Sequence, residues 1–167
     1  MDWNHWQPRE RANLCFIVQE GRILLIRKKR GLGAGKINGP GGKLEKGETA
    51  LEAVIREVEE EVGVIPLELV EAGVLHFQFA DGYSLHCVVF LAGNFSGELI
   101  ETEEATPLWF DLEAIPFSEM WEDDQHWLPA ILAGHYFVGW FEFEGESMTS
   151  KDVRLFEQKP PADLAKF

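Results

Sequence analysis

The sequence predicts an α+β domain in which a mixed β-sheet is sandwiched with helices. Runs rich in β-branched and aromatic residues recur between residues 13 and 157, separated by turns containing Gly, Asp or Pro. Only two stretches, 48–62 and 121–133, carry helix signals. Many strands with few helices in this order give a mixed sandwich. No internal repeat or linker divides the 167 residues, a length that suits one domain with a substantial core.

Residues 1–10 read as an extension, with Trp3 and Trp6 expected to tuck onto the body, and the domain itself is expected to span 11–157. Segments 13–19 (NLCFIVQ) and 22–27 (RILLIR) read as two strands turned at Glu20-Gly21. Residues 28–43 (KKRGLGAGKINGPGGK) hold six glycines and one proline, so they form a loop whose backbone can approach a ligand. The loop is not a Walker A motif, because Gly35-Lys36 is followed by Ile37, which lacks the hydroxyl for Mg²⁺. The strand–GxGxxG–helix order of a dinucleotide site is absent too. Lys28, Lys29, Arg30 and Lys36 still place positive charge just ahead of an acidic helix, where phosphates could sit.

That helix is expected over 48–62. Thr49 and Glu52 make a capping box, Leu51, Ile55, Val58 and Val62 form an apolar stripe, and Gly63 stands where a left-handed cap belongs. Residues 67–79 read as a strand pair or one long bent strand, Ala80-Asp81-Gly82 as a turn, and 83–91 as a strand. A turn at 93–97, irregular acidic chain at 98–104 and a short strand at 108–111 follow. The helix at 121–133 ends at Gly134, and Pro129 inside it predicts a kink or a late start. Segment 135–144 (HYFVGWFEFE) alternates like a strand, 151–157 adds a last one, and 158–167 is expected to be a loose tail.

Charge narrows the function. The formal net charge is -14, from 29 acidic and 15 basic side chains, which argues against a nucleic acid polymer as partner. A small phosphorylated ligand remains compatible when a metal supplies the positive charge. Cys15 and Cys87 fall in apolar runs and read as buried thiols, as expected in a cytoplasmic protein. The N-terminal stretch has no apolar core of a secretory leader, and no apolar run reaches the eighteen or so residues of a membrane span. A monomer is expected.

Residues 42–64 concentrate the chemistry, with seven glutamates in 23 residues. On a helix Glu57, Glu60 and Glu61 share one face, while Glu52 and Glu59 point to solvent. Three like charges repel one another there, at the helix end whose dipole is already negative. A hard divalent cation removes that conflict. Taken alone, the cluster reads first as a solvated acidic face.

The flanking residues decide between the two. Gly42, Glu48, Arg56-Glu57-Val58, Glu60-Glu61 and Gly63-Val64 stand at the spacing of the Nudix box and resemble it without a mismatch. The resemblance implies an α/β/α sandwich with a loop–helix–loop, and a metal-dependent pyrophosphohydrolase whose late glutamates hold Mg²⁺, with Mn²⁺ as substitute. Two further stretches, 28–49 and 116–129 (PFSEMWEDDQHWLP), resemble the mammalian-type, MutT-related 8-oxo-dGTP diphosphatases. That likeness runs from about residue 13 to 143. It implies hydrolysis of oxidised purine nucleoside triphosphates (8-oxo-dGTP, 2-oxo-dATP) to a nucleoside monophosphate and pyrophosphate. The alternatives are another nucleoside diphosphate-X substrate, such as ADP-ribose or alkylated dGTP, or a silent nucleotide-binding module.

Carried over by position, the Gly42 carbonyl, Glu57, Glu60 and Glu61 would hold metal, and Arg56 would orient the glutamates. Glu104 is the candidate outer ligand or base, alongside Glu57 and Glu60. Asn38, Asp123 and Asp124 would read the base edge and Trp121 would stack on it. Phe77, Phe79, Leu85 and Phe143 would wall the pocket, Lys28 would approach the sugar or base side, and Asn13 would lie at the floor. Without the resemblance, Asp123-Asp124 reads as a helix cap, Asn38 as a turn residue, Glu104 as a loop carboxylate and Trp121 as an ordinary tryptophan. The chain departs from the subgroup at Leu32, which replaces an aromatic, at Asn13, which replaces a threonine, and at Ile37, which replaces a tryptophan.

Overall fold

The structure is a computed structural model that describes residues 1–166. β1 (Glu10–Gln19) and β2 (Arg22–Lys28) form an antiparallel hairpin. Its two turn residues, Glu20 and Gly21, have φ of 51° and 74°, the left-handed pair that matches strand twist in a tight hairpin. The strands then part. β1 pairs β2 only at Ile17, Val18 and Gln19, and the short β3 (Ile37–Asn38) takes over beside Ile26 and Arg27. β6 (Ala105–Asp111) pairs along the whole of β2.

β4 (Ile65–Phe79) is one long strand with an irregularity between Glu71 and Gly73, so the bent-strand expectation holds. β5 (Ser84–Ser96) runs beyond the expected end. Gly93 and Asn94 looked like a turn, yet cross-strand pairing with the start of β4 holds them extended, and the chain turns only at Gly97. β7 (Tyr136–Glu144) and β8 (Ser147–Phe156) complete the sheet, β8 starting earlier than expected because a hairpin at Gly145 feeds it directly from β7. The order is β3-β2-β1-β5-β4-β7-β8, with β6 on β2. β1/β5 and β4/β7 are parallel and the remaining pairs antiparallel, so the sheet is mixed.

α1 (Ala50–Val62) and α2 (Asp124–Leu132) cover opposite faces. Alternate residues of the hairpin separate the two cores. Cys15, Ile17, Leu24 and Ile26 meet Val54, Val58 and Val62 of α1. Phe16, Ile23 and Leu25 pack with Trp127, Leu128 and Ile131 of α2. A third cluster, Tyr136, Val138 and Trp140, receives Trp3 from the N-terminal extension and Ala165 from the tail. Trp6 also docks, its indole N–H donating to Gln78 Oε1 at 2.9 Å. Among the described residues, no helix is long and apolar enough to cross a membrane.

The capping box of α1 is present: Thr49 Oγ1 accepts from Glu52 N at 3.1 Å and Glu52 Oε1 from Thr49 N at 3.3 Å. Gly63 closes the helix at φ 79°. The packed stripe differs from the expected one. Val54, Val58 and Val62 face the sheet, which lifts Leu51 to 47% exposure and turns Glu61 inward. Thr49→Ala is expected to cost about 1 kcal/mol, read as a lower urea midpoint at unchanged slope.

Candidate active site

The inward turn of α1 gives the site its charge. Glu61 is only 5% exposed, and one carboxylate oxygen each of Glu57, Glu61 and Glu104 lie within 4.8 Å of one another. Glu104 reaches the cluster from the loop before β6, and Arg30 holds its Oε1 at 2.9 Å. Burial pushes the Glu61 carboxyl up to about 8, with the Glu57 charge adding to it. Burial also raises Glu57. Three converging, partly desolvated carboxylates repel one another, and oxygen donors so placed fit a hard divalent cation.

Arg56 fixes the approach. Its Nε and Nη2 grip both oxygens of Glu48 at 2.8 Å each, and Nη1 reaches Glu57 Oε1 at 2.9 Å and Glu60 Oε2 at 3.2 Å. The two groups shift each other's titration: Arg56 holds Glu48 down to about 2, and Glu48 raises Arg56. Glu60 lies outside the carboxylate cluster, its side chain 51% exposed on Arg56.

Gly42 sits against this end. Its carbonyl accepts from Asn13 N at 2.9 Å, which leaves one lone pair open. A Cβ at Gly42 would stand 2.4 Å from the Glu57 carboxylate. Gly42→Ala is therefore expected to push Glu57 off the cluster and lower kcat about 10- to 100-fold. A melting curve alongside should show little change, since only a side-chain end has to move.

A cavity of about 240 Å³ opens from the cluster into the α2 side of the sheet. Its lining includes Glu61, Gly42, Asn13 and Lys28, with Lys28 Nζ donating to Leu32 O at 2.8 Å. Burial lowers the Lys28 pKa. The walls are Phe77, Phe79, Leu85 and Phe143, the Phe79 and Phe143 rings stacking at 5.5 Å. At the far end Trp121 stands edge-on to Phe143 at 5.4 Å, beside Asn38, Asp123 and Asp124.

The two aspartates are almost fully buried, at 1% and 3% exposure. Asp123 occupies the N-cap position of α2, yet its side chain caps nothing, accepting instead from Trp127 Nε1 at 2.8 Å. Asp124 Oδ2 has no partner. Burial raises both carboxyls, and the Asp123 charge drives Asp124 higher still, which favours a proton shared by the pair. One acid can then donate while the other accepts.

The structure thus gathers Asn13, Lys28, Asn38, Gly42, Glu61, Phe77, Phe79, Leu85, Trp121, Asp123, Asp124 and Phe143 around one cavity. Glu57 and Glu104 meet Glu61 at its rim, and Glu60 stays apart. The sequence reading missed Tyr83, Lys43 and Cys87 in the lining. Tyr83 Oη donates to Glu10, which also takes Lys43 Nζ at 2.7 Å. No spacing rule links residues 10, 43 and 83; only the sheet register brings them together. For Cys87 the register was the available signal, since it faces Ala12 across β1/β5 and shares the cluster containing Ala12 and Phe16.

Comparison with known proteins gives the family. A family model described as NUDIX domain matches residues 8–131. The chain is 46% identical over 136 residues to the oxidized purine nucleoside triphosphate hydrolase of Danio rerio, spanning 81% of this chain and 87% of the relative. It is 40% identical over 134 residues to the protein of the same description from Mus musculus, covering 80% and 86%. Among solved structures, the MutT protein of Bacillus halodurans superposes with a TM-score of 0.77 at 25% identity, over 90% of this chain and 99% of that one. A complete glutamate box, with Glu57 and Glu61 brought together by the fold, and a family match over most of the sheet place this chain in the Nudix hydrolase family.

Proposed function

We propose that this Nudix hydrolase cleaves oxidised purine nucleoside triphosphates, of the 8-oxo-dGTP and 2-oxo-dATP type, to a nucleoside monophosphate and pyrophosphate. The observation that carries the reading is a single cavity joining two kinds of site. An apolar aromatic box with a buried aspartate pair lies at one end and a carboxylate cluster at the other. The likeness to two oxidized purine nucleoside triphosphate hydrolases over four-fifths of the chain supports it.

Each group has a role. Glu57 and Glu61, with Glu104 and the Gly42 carbonyl, would hold Mg²⁺, or Mn²⁺ in its place. A bound cation would neutralise phosphate charge and acidify a water. Glu60 would be a further donor for the cation, and Glu57, Glu60 or Glu104 accepts the proton of the attacking water. Arg56 positions Glu57 and Glu60 without touching substrate. Trp121 stacks on the purine, and Asn38, Asp123 and Asp124 read its edge. Phe77, Phe79, Leu85 and Phe143 exclude water around it, and Lys28 faces the sugar side. Residues 11–157 act as one catalytic domain, monomeric and cytoplasmic, on a small nucleotide and not on a polymer.

The test is a product assay with Mg²⁺ on 8-oxo-dGTP, 2-oxo-dATP, dGTP, O6-methyl-dGTP and ADP-ribose. Pyrophosphate release favouring the oxidised nucleotides, abolished by EDTA, is the expected result. Preferred cleavage of ADP-ribose would assign the site to a different Nudix substrate. Tight binding without turnover would make it a silent nucleotide-binding module.

A further inference from the structure

Two buried side-chain atoms among the described residues lack a hydrogen-bond partner, Asn13 Nδ2 and Asp124 Oδ2, and both residues line the same cavity. Asp124 belongs to the acid pair at the far end. Asn13, 1% exposed, lies on the strand that borders Gly41 and Gly42. Its amide orientation is fixed. Oδ1 accepts from Gly42 N at 3.4 Å, and turning the amide over would face two N–H donors. Asn13, on the cavity lining, therefore carries a pure donor, Nδ2, that has no acceptor within the protein.

Such a group costs stability wherever it is buried. A ligand oxygen at that point recovers the loss, and a ligand with C–H there does not. Asn13 contacts Gly42 directly, and Glu61 Oε1 accepts from the neighbouring Gly41 N at 3.4 Å. The phosphates belong beside the carboxylates and the six-membered ring of the purine beside Asp123 and Asp124. Between them comes the five-membered ring with its C8 substituent. We infer that Asn13 Nδ2 donates to the C8 carbonyl oxygen of an oxidised purine, so that this chain reads the oxidised atom directly. The unmodified nucleotide presents C8–H instead and leaves the donor unpaired. A site built to hydrogen-bond a substrate group discriminates strongly against the analogue that lacks it.

The inference rests on the oxidised-purine reading above, and one experiment separates the two. Steady-state kinetics of wild type and Asn13→Leu are measured on 8-oxo-dGTP, 2-oxo-dATP and dGTP, with thermal melts of both proteins. The expected result is a drop of at least about tenfold in the kcat/KM ratio of 8-oxo-dGTP to dGTP. The loss on 8-oxo-dGTP should exceed that on 2-oxo-dATP, which carries hydrogen at C8. The melting temperature should stay equal or rise, because an unpaired donor is removed. Equal losses on all three nucleotides would give Asn13 a sugar contact and overturn the inference. A larger ratio in the variant would place Nδ2 against N7, an acceptor only in the unmodified base, and overturn it too. Wild type with no preference for 8-oxo-dGTP would instead sink the substrate reading, and this inference with it. Should Asn13→Leu fold poorly, Asn13→Asp keeps the size and the acceptor for Gly42 N while deleting the donor, and the same ratio decides.

Discussion

Glu61→Gln is expected to lower kcat by at least about 100-fold while raising the melting temperature in metal-free buffer. Glu61 is the most buried member of the carboxylate cluster, with Glu57 and Glu104 within 4.8 Å. Glutamine keeps the shape and loses the charge, so repulsion and desolvation are relieved and metal affinity is lost. The pH dependence follows from the same shift. The Glu61 carboxyl titrates near 8 in the fold against 4.5 as the unperturbed value, so between these values the native state binds more protons than the unfolded chain. Metal-free stability should therefore fall as pH rises through that window. Glu57, Asp123 and Asp124, also raised, add the same sign. Melts in EDTA at about pH 5 and about pH 8.5 check this, and Glu61→Gln should flatten the difference. Glu60→Gln is also expected to cost at least about 100-fold in kcat. Near-wild-type turnover there would confine Glu60 to the Arg56 network.

Asp123→Asn and Asp124→Asn are each expected to lower kcat/KM for 8-oxo-dGTP by about 10- to 1000-fold, or about 1.4–4 kcal/mol. Asparagine caps a helix about as well as aspartate, so a capping role would make both changes mild. The structure removes that role for Asp123, whose carboxylate bonds Trp127 instead of a helix amide. An amide can neither release nor take up a proton, so its donor and acceptor ends are fixed and the base edge meets the wrong partner. The loss should differ on 2-oxo-dATP, which presents another edge. Thermal melts of both variants, run beside the kinetics, are the control. Activity that falls only in step with melting temperature would return the pair to a structural role.

The helix and its caps were legible because their signals are local: Thr49, Glu52 and Gly63 act within one turn of their own backbone. The hairpin at Glu20-Gly21 was legible for the same reason. Helix rotation was not. Leu51 and Val54 are both apolar, and which of them faces the sheet depends on how α1 docks against β1 and β4. That rotation also decides the glutamates. Spacing alone put Glu57, Glu60 and Glu61 on one face, whereas packing buries Glu61, leaves Glu60 on Arg56 and brings in Glu104 from a segment 43 residues further along the chain. The aspartate pair was ambiguous in sequence, because a cap and a base reader look alike until burial is known. The orphaned Asn13 donor had no sequence signal at all, since it follows from which loop crosses β1.

The central claim is that one cavity couples recognition of an oxidised base to metal-dependent cleavage of its phosphates. Steady-state kcat/KM for 8-oxo-dGTP against dGTP, measured in Mg²⁺ with pyrophosphate and nucleoside monophosphate as products, tests it most directly. A preference of at least about tenfold for the oxidised nucleotide is expected, the least that a single mispaired base contact in this pocket should produce. Equal rates on the two nucleotides, or turnover that survives EDTA, would contradict it.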